Sequence, residues 1–368
     1  MDEHIRQLWL KAEMQPEFHI AGDPAGEYYK PRIYDDVPTF MEVPIAYNPE
    51  DLEGVDVAFM GYPYEGGQQI SSTTFAMTGK RPPDPDAVIE RSGAYKAPAY
   101  IRKYSIHYSL AISGGFYPEE VEDFRLLDYL RIVDYGDVEE KVWDGEETCR
   151  RGIEKVSQIV EAGAIPLVFG GDHSTPYPIV KGISDSSEGK IGVINFDSHY
   201  DIGLSGRLNA GNAFGKIMED CQSSPENLVI IGIKGGAYNT PLMHQLIKDI
   251  GATVFTISDV ERLGIKEVVN RAMEAAGRGT DKIYVTVDTD VLDPVSFPAM
   301  KYPDAFGMTA WQMRDALRIL SRETNLCGVD LVCMGPDYDH KGAGAFIACR
   351  FFIEVLKGLA VRKAVGAD

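Results

Sequence analysis

The sequence predicts an α/β protein of three layers, α/β/α, in which a central, mostly parallel β-sheet is covered by helices on both faces. Three observations lead there. Short apolar, β-branched runs alternate with runs whose apolar residues recur at helical spacing; the connections between them are short; and several of the apolar runs end abruptly in Gly, Asp and His. The chain of 368 residues can bury a substantial core. One large domain is preferred to two, because the polar strand ends that must converge are spread from Asp172 to Asp290.

Residues 1–50 read as an extension that packs on the core or on a neighbouring subunit. After a helix-like start, H-I-R-Q-L-W-L-K, they carry Phe18, Tyr28, Tyr29, Tyr34 and Phe40, an aromatic content high for a free tail. The domain proper is then 51–368. Val55–Tyr62 reads as its first strand. The polar segment after it, 68–91, contains Pro82, Pro83 and Pro85 and must be a long loop. Ala87–Tyr104 has helical character, Arg131–Asp134 is a strand, and 145–161 places Ile153, Val156, Ile159 and Val160 on one helical face before Gly163 ends it. Strands are then predicted at 165–169, 191–196, 228–233, 253–257, 284–287 and 328–333. Helices lie between and after them, from about Tyr177, near Phe214, near Met243, and from Ile265, Ala310 and Ala343.

Composition excludes several function classes. A net charge of −20 argues against nucleic acid as a partner, which rewards basic patches, and is compatible with a small cationic substrate. No apolar run approaches the ~20 residues needed to cross a bilayer, so no membrane partner is expected. The start M-D-E-H-I-R lacks the pattern of a signal peptide, which predicts a cytoplasmic protein. Five cysteines without a C-x-x-C pair suggest neither a disulfide framework nor a zinc ribbon.

Three strand ends carry the chemistry. In I-G-V-I-N-F-D-S-H-Y-D (191–201), Asp197, His199 and Asp201 follow a buried strand at a spacing of two, so an extended continuation sends all three to one side. L-V-F-G-G-D-H-S (167–174) breaks at paired glycines, which permit close backbone approach, and delivers Asp172 and His173 just beyond the strand. I-Y-V-T-V-D-T-D-V-L-D-P (283–294) ends in Asp288 and Asp290 before Asp293-Pro294 turns the chain. Ligands bind outside the carboxyl ends of strands in open parallel sheets. Carboxylate and imidazole together suit Mn, Ni or Zn rather than Ca or Mg. An EF-hand reading of 288–299 fails, because its sixth position is Asp293 rather than Gly and its twelfth is Ala299 rather than Glu. A phosphatase reading of D-T-D-V-L fails as well, since it would leave His173 and His199 without a role.

G-G-D-H-S, D-S-H-Y-D and T-V-D-T-D-V-L-D-P resemble, in order and spacing, the three signature motifs of the ureohydrolase superfamily, which includes arginase and agmatinase. The likeness runs from about Asp56 to Leu359, with Ser198 where the family has Ala and Thr286 where it usually has Ser. It implies an arginase-like sheet and a binuclear-metal hydrolase of linear amidines. His173 and Asp201 would complete one metal site and His199 and Asp290 the other, with Asp197 and Asp288 bridging. Asp201 would also act catalytically, orienting the attacking water and passing its proton to the leaving amine. Asp172 and Asp293 would support the ligands.

The sequence departs from that pattern at the substrate. Asn209-Ala210-Gly211-Asn212 stand where relatives carry Ser-His-Gly, Asp304 is nearest the Glu that grips the guanidinium, and Cys333 takes the place of another Glu. Asn209, Asn212 and Asp304 are therefore the candidate substrate contacts. The resemblance points to the guanidine and metformin hydrolase branch: a small guanidine, an N-alkylguanidine or a biguanide as substrate, urea or guanylurea as product, and a pair of Ni(2+) or Mn(2+) ions as cofactor. A tailed guanidine such as agmatine or guanidinobutyrate is the alternative. The superfamily also implies a homo-oligomer, trimer or hexamer. A hetero-oligomer with a paralogue is the remaining possibility, in which this chain would have a structural or regulatory role.

Overall fold

A computed structural model describes residues 6–7, 32–34, 37–66, 93–110, 114–115, 125–141, 144–204, 206–236, 239–300 and 302–366. The predicted 68–91 loop and most of the opening segment lie outside them. Eight strands form one sheet: β1 Val57–Gly61, β2 Ile132–Asp137, β3 Ile165–Phe169, β4 Ile191–Phe196, β5 Leu228–Ile233, β6 Thr253–Thr256, β7 Lys282–Asp288 and β8 Leu326–Val332. Every neighbouring pair is parallel, in the spatial order β2-β1-β3-β8-β7-β4-β5-β6.

Period-two alternation sorts the strand side chains between two cores. Phe59, Phe169, Phe196, Ile231 and Val287 face one side, where helices α1 (Ala97–Ser105), α6 (Ile257–Leu263), α7 (Ile265–Ala276), α8 (Ala310–Glu323) and α9 (Ala343–Ala364) cover them. Met60, Val168, Val193, Ile230 and Tyr284 face the other, under α2 (Gly145–Glu161), α3 (Pro176–Ser186), α4 (Ala213–Asp220) and α5 (Pro241–Asp249). The protein is thus the expected three-layer α/β/α structure. Both faces are buried under helices, so the strands read as continuous apolar runs.

Two differences from the sequence expectation have simple causes. The helical segment predicted from Ala87 is a helix only from Ala97 among the described residues, where Pro98 sits in the first turn. Helix α6 is an addition to the sequence expectation, which has strand over 253–257 and its next helix from Ile265. Thr256 and Asp259 form a reciprocal capping box that ends the strand and starts the helix.

Phe40 ties the segment before the sheet to its core. Its ring lies 4.4 Å from Phe59 and 4.8 Å from Phe169, and its N–H donates to Asp134 Oδ2 at 2.8 Å. The same Asp134 carboxylate receives Nε and a terminal nitrogen of the fully buried Arg102, at 2.8 and 2.9 Å. Arg102 also contacts Asp137, so α1 is clamped to β2 by a charge pair away from water.

Candidate metal centre

Strands β3, β8, β7 and β4 are consecutive in the sheet, and their carboxyl ends open on one side. After β3 the chain must turn at once beneath the segment following β1. A Cβ on Gly171 would stand 1.8 Å from the Tyr64 carbonyl oxygen, so only glycine fits. Asp172 N–H then donates to that carbonyl at 2.9 Å, while Asp172 Oδ1 accepts the Ser174 N–H at 3.0 Å and its hydroxyl at 2.5 Å. Asp172 is thereby committed to shaping the turn that projects His173.

The geometry around His173 and His199 is specific. His173 Nδ1 lies 2.9 Å from Asp201 Oδ2, 3.1 Å from Asp197 Oδ2 and 3.2 Å from Asp288 Oδ2. His199 Nδ1 lies 3.4 Å from Asp197 Oδ1 and 3.1 Å from Asp290 Oδ2. The two carboxylate oxygens of Asp197 therefore serve different histidines. Two ligand sets result, His173–Asp197–Asp201 and Asp197–His199–Asp290, each with its donor atoms within 4.8 Å of one another. Asp288 stands beside the first: its Oδ2 faces His173, and its Oδ1 accepts the Asp290 N–H at 2.9 Å. The donors, imidazole nitrogen and carboxylate oxygen, fit a pair of divalent transition ions.

Electrostatics point the same way. Burial opposes a charged His173, yet Asp197, Asp201 and Asp288 outweigh it and hold its pKa well above the ordinary value. His199 is likewise opposed by burial but pushed up to about 12 by Asp197 and Asp290. Burial, then Asp290, raises Asp288. Burial and the charge of Asp197 raise Asp201. So dense a set of buried carboxylates calls for positive charge, and protons and metal ions compete for it.

Supporting contacts set the ligands. Asn195 Nδ2 donates to Asp197 Oδ2 at 3.2 Å and the His199 N–H to Asp197 Oδ1 at 2.7 Å. Asp201 holds a left-handed backbone, φ 47°, a strained state for a residue other than glycine. Asp293 caps the Val295 and Phe306 N–H groups, both at 3.0 Å, and so supports the turn after β7.

The proposed substrate contacts are placed differently from the ligands. Asn209 Oδ1 accepts the Gly211 N–H and Asn212 Oδ1 the Asn209 N–H, at 2.9 and 2.8 Å, while both side-chain amides donate to the Arg207 carbonyl at 2.9 Å. Those bonds brace the 207–212 loop itself. Asp304 is exposed, and its backbone carbonyl receives Lys234 Nζ at 3.1 Å. Sequence reasoning passed over Lys234, Asn239 and the hydroxyl of Ser198. A lysine directly after the fully apolar β5 was the available signal. Cys333 lies at the end of β8 with φ 61°; burial, then the charge of Asp288, pushes its thiol well above the usual range.

Comparison with known proteins gives a consistent picture. The model of the arginase family matches residues 82–357. The chain is 31% identical to formimidoylglutamase of Halalkalibacterium halodurans, over 83% of this chain and 92% of that protein. It is 28% identical to guanidinopropionase of Pseudomonas aeruginosa, over 90% of this chain and 94% of that protein. Its structure superposes on proclavaminate amidino hydrolase from Streptomyces clavuligerus with a TM-score of 0.72 at 25% identity, covering 90% of this chain and all of that one.

Proposed function

The chain belongs to the arginase family and is a metal-dependent hydrolase of the ureohydrolase type, and from that premise we propose that it cleaves a C–N bond of a small guanidino compound: guanidine, an N-alkylguanidine or a biguanide. The observation that carries the reading is Asp197, whose two oxygens face two separate histidine-carboxylate sets. The names guanidinopropionase, amidino hydrolase and formimidoylglutamase all refer to an amidine-type carbon. A small substrate is supported by Ala210 where the resemblance expects His, by the exposed Asp304 and by Cys333.

His173, Asp197 and Asp201 would hold one divalent cation, and Asp197, His199 and Asp290 the other, with Asp288 bordering the first; Ni(2+) or Mn(2+) suits these donors. Two such ions supply Lewis-acid charge that makes water acidic enough to react near neutral pH. Asp201 is the residue to move the proton. Its side chain is 18% exposed, whereas those of Asp197, Asp288 and Asp290 are 0%, 4% and 7% exposed, so it faces the open side of the site. There it can accept a proton from attacking water and return it to the leaving nitrogen. We further propose a homotrimer or homohexamer as the working assembly.

The test is product release, urea or guanylurea plus amine, by protein loaded separately with Mn and Ni, across guanidine, dimethylbiguanide, agmatine and 4-guanidinobutyrate. Turnover of guanidine or the biguanide is expected, and turnover confined to the tailed substrates would overturn the small-substrate reading. Asp288→Ala should lose activity and bound metal together. A folded, fully active Asp288→Ala protein would sink the binuclear mechanism.

A further inference from the structure

We propose that Ser198, Asn239 and Lys234 form a strut that couples the His199-side metal position to the loop carrying Asp304; the inference rests on the metal-centre reading but not on any particular substrate. Ser198 sits between two ligands and is buried. Its N–H donates to Asp290 Oδ1 at 3.2 Å and its hydroxyl to the Asp290 carbonyl at 2.8 Å, so one residue on the β4 side grips a ligand on the β7 side twice. The hydroxyl is an addition of this chain, at a position where the resembling motif carries Ala.

On its other side, Ser198 is held by the segment that follows β5. Asn239 Nδ2 donates to the carbonyls of both Ser198 and Lys234 at 2.6 Å. Two carbonyl partners fix which end of the amide points there, since the amide oxygen could accept from neither. The Lys234 side chain then extends to the Asp304 carbonyl at 3.1 Å, and the residue is only 6% exposed. An ammonium so nearly buried needs its hydrogen bonds, and this one fastens a loop whose next anchor is the Asp293 cap on Phe306. The path Asp290–Ser198–Asn239–Lys234–Asp304 is continuous in hydrogen bonds. Occupation of the His199-side position orders Asp290, and the strut transmits that order to residues 302–306. These are positioning residues, since each acts through another.

The experiment is hydrogen exchange of the 302–308 amides in the full chain, with and without Mn, alongside Mn binding isotherms of the metal-free protein. In the wild type, Mn should slow exchange of this segment about tenfold. Ser198→Ala should weaken one of two Mn equivalents about five- to tenfold, the size of one buried hydrogen bond, and abolish the protection. Lys234→Met should abolish the protection with Mn affinity changed less than threefold, and Lys234→Arg, which keeps a donor, should restore it. Equal Mn-induced protection in the wild type, Ser198→Ala and Lys234→Met would overturn the strut. Failure to find a substrate leaves these readouts intact, so the two inferences fail separately.

Discussion

Asp330 shows how much a single buried carboxylate below the site constrains the strands that carry it. It lies on β8, accepts the Thr286 hydroxyl at 2.6 Å and contacts the Tyr284 hydroxyl, both on β7. Burial raises its pKa to about 6, although those two hydroxyls favour the charged form. A folded-state value above the unfolded one means that its stabilising contribution is complete below about pH 4 and is lost as pH rises through about 6. Asp330→Asn should remove that loss, flattening the pH dependence of stability by about 3 kcal/mol between pH 4 and 7. Urea unfolding of both proteins at several pH values measures it, and parallel curves would show that the two hydroxyls hold the carboxylate at its ordinary value. The same scale explains what was legible at the site. The residue types and their spacing of two are local, so 197–201 and 288–290 display in the sequence the side chains that the structure brings together. Asn209 and Asn212 look equally polar in the sequence, but their amides close a turn, which depends on loop conformation.

At the scale of elements, the clamp between α1 and β2 decides the most. Arg102 and Asp134 are both fully buried, and Asp134 also anchors the backbone of Phe40. Arg102→Met leaves Asp134 charged, buried and partly unpaired, so it should cost about 3–5 kcal/mol, since losing one partner of a buried pair leaves the other uncompensated. Chemical denaturation reads this directly; a change below about 1 kcal/mol would mean that water or rearrangement relieves Asp134. Continuous apolar runs in the strands are robust to context, because both faces of the sheet are covered. Element ends are less robust. The Thr256–Asp259 capping box sits at the end of the strand, so the helix start rests on side-chain hydrogen bonds rather than on periodicity.

For the whole molecule, the carboxylate-rich centre should make stability depend on bound metal. Buried Asp197, Asp288 and Asp290 repel one another unless protons or cations intervene. Metal ligands must shed protons to bind, so affinity rises with pH. The melting temperature of Mn-loaded protein should therefore exceed that of chelator-stripped protein by a margin that widens from pH 6 to pH 8. Metal at about a thousand times its Kd would add ~4 kcal/mol. A margin independent of pH would mean that protons do not occupy the stripped site.

Sequence alone determined the fold class and the six side chains that meet at the centre, because alternation, burial and spacing of two are properties of short segments. Only the tertiary structure decided that β3, β8, β7 and β4 lie side by side, and hence that the Asp197 oxygens face different histidines and that Lys234 reaches Asp304. Strand order is chosen by which faces pack together across the whole sheet. The hydrogen-bond partners of a loop follow from that order, not from its own residues.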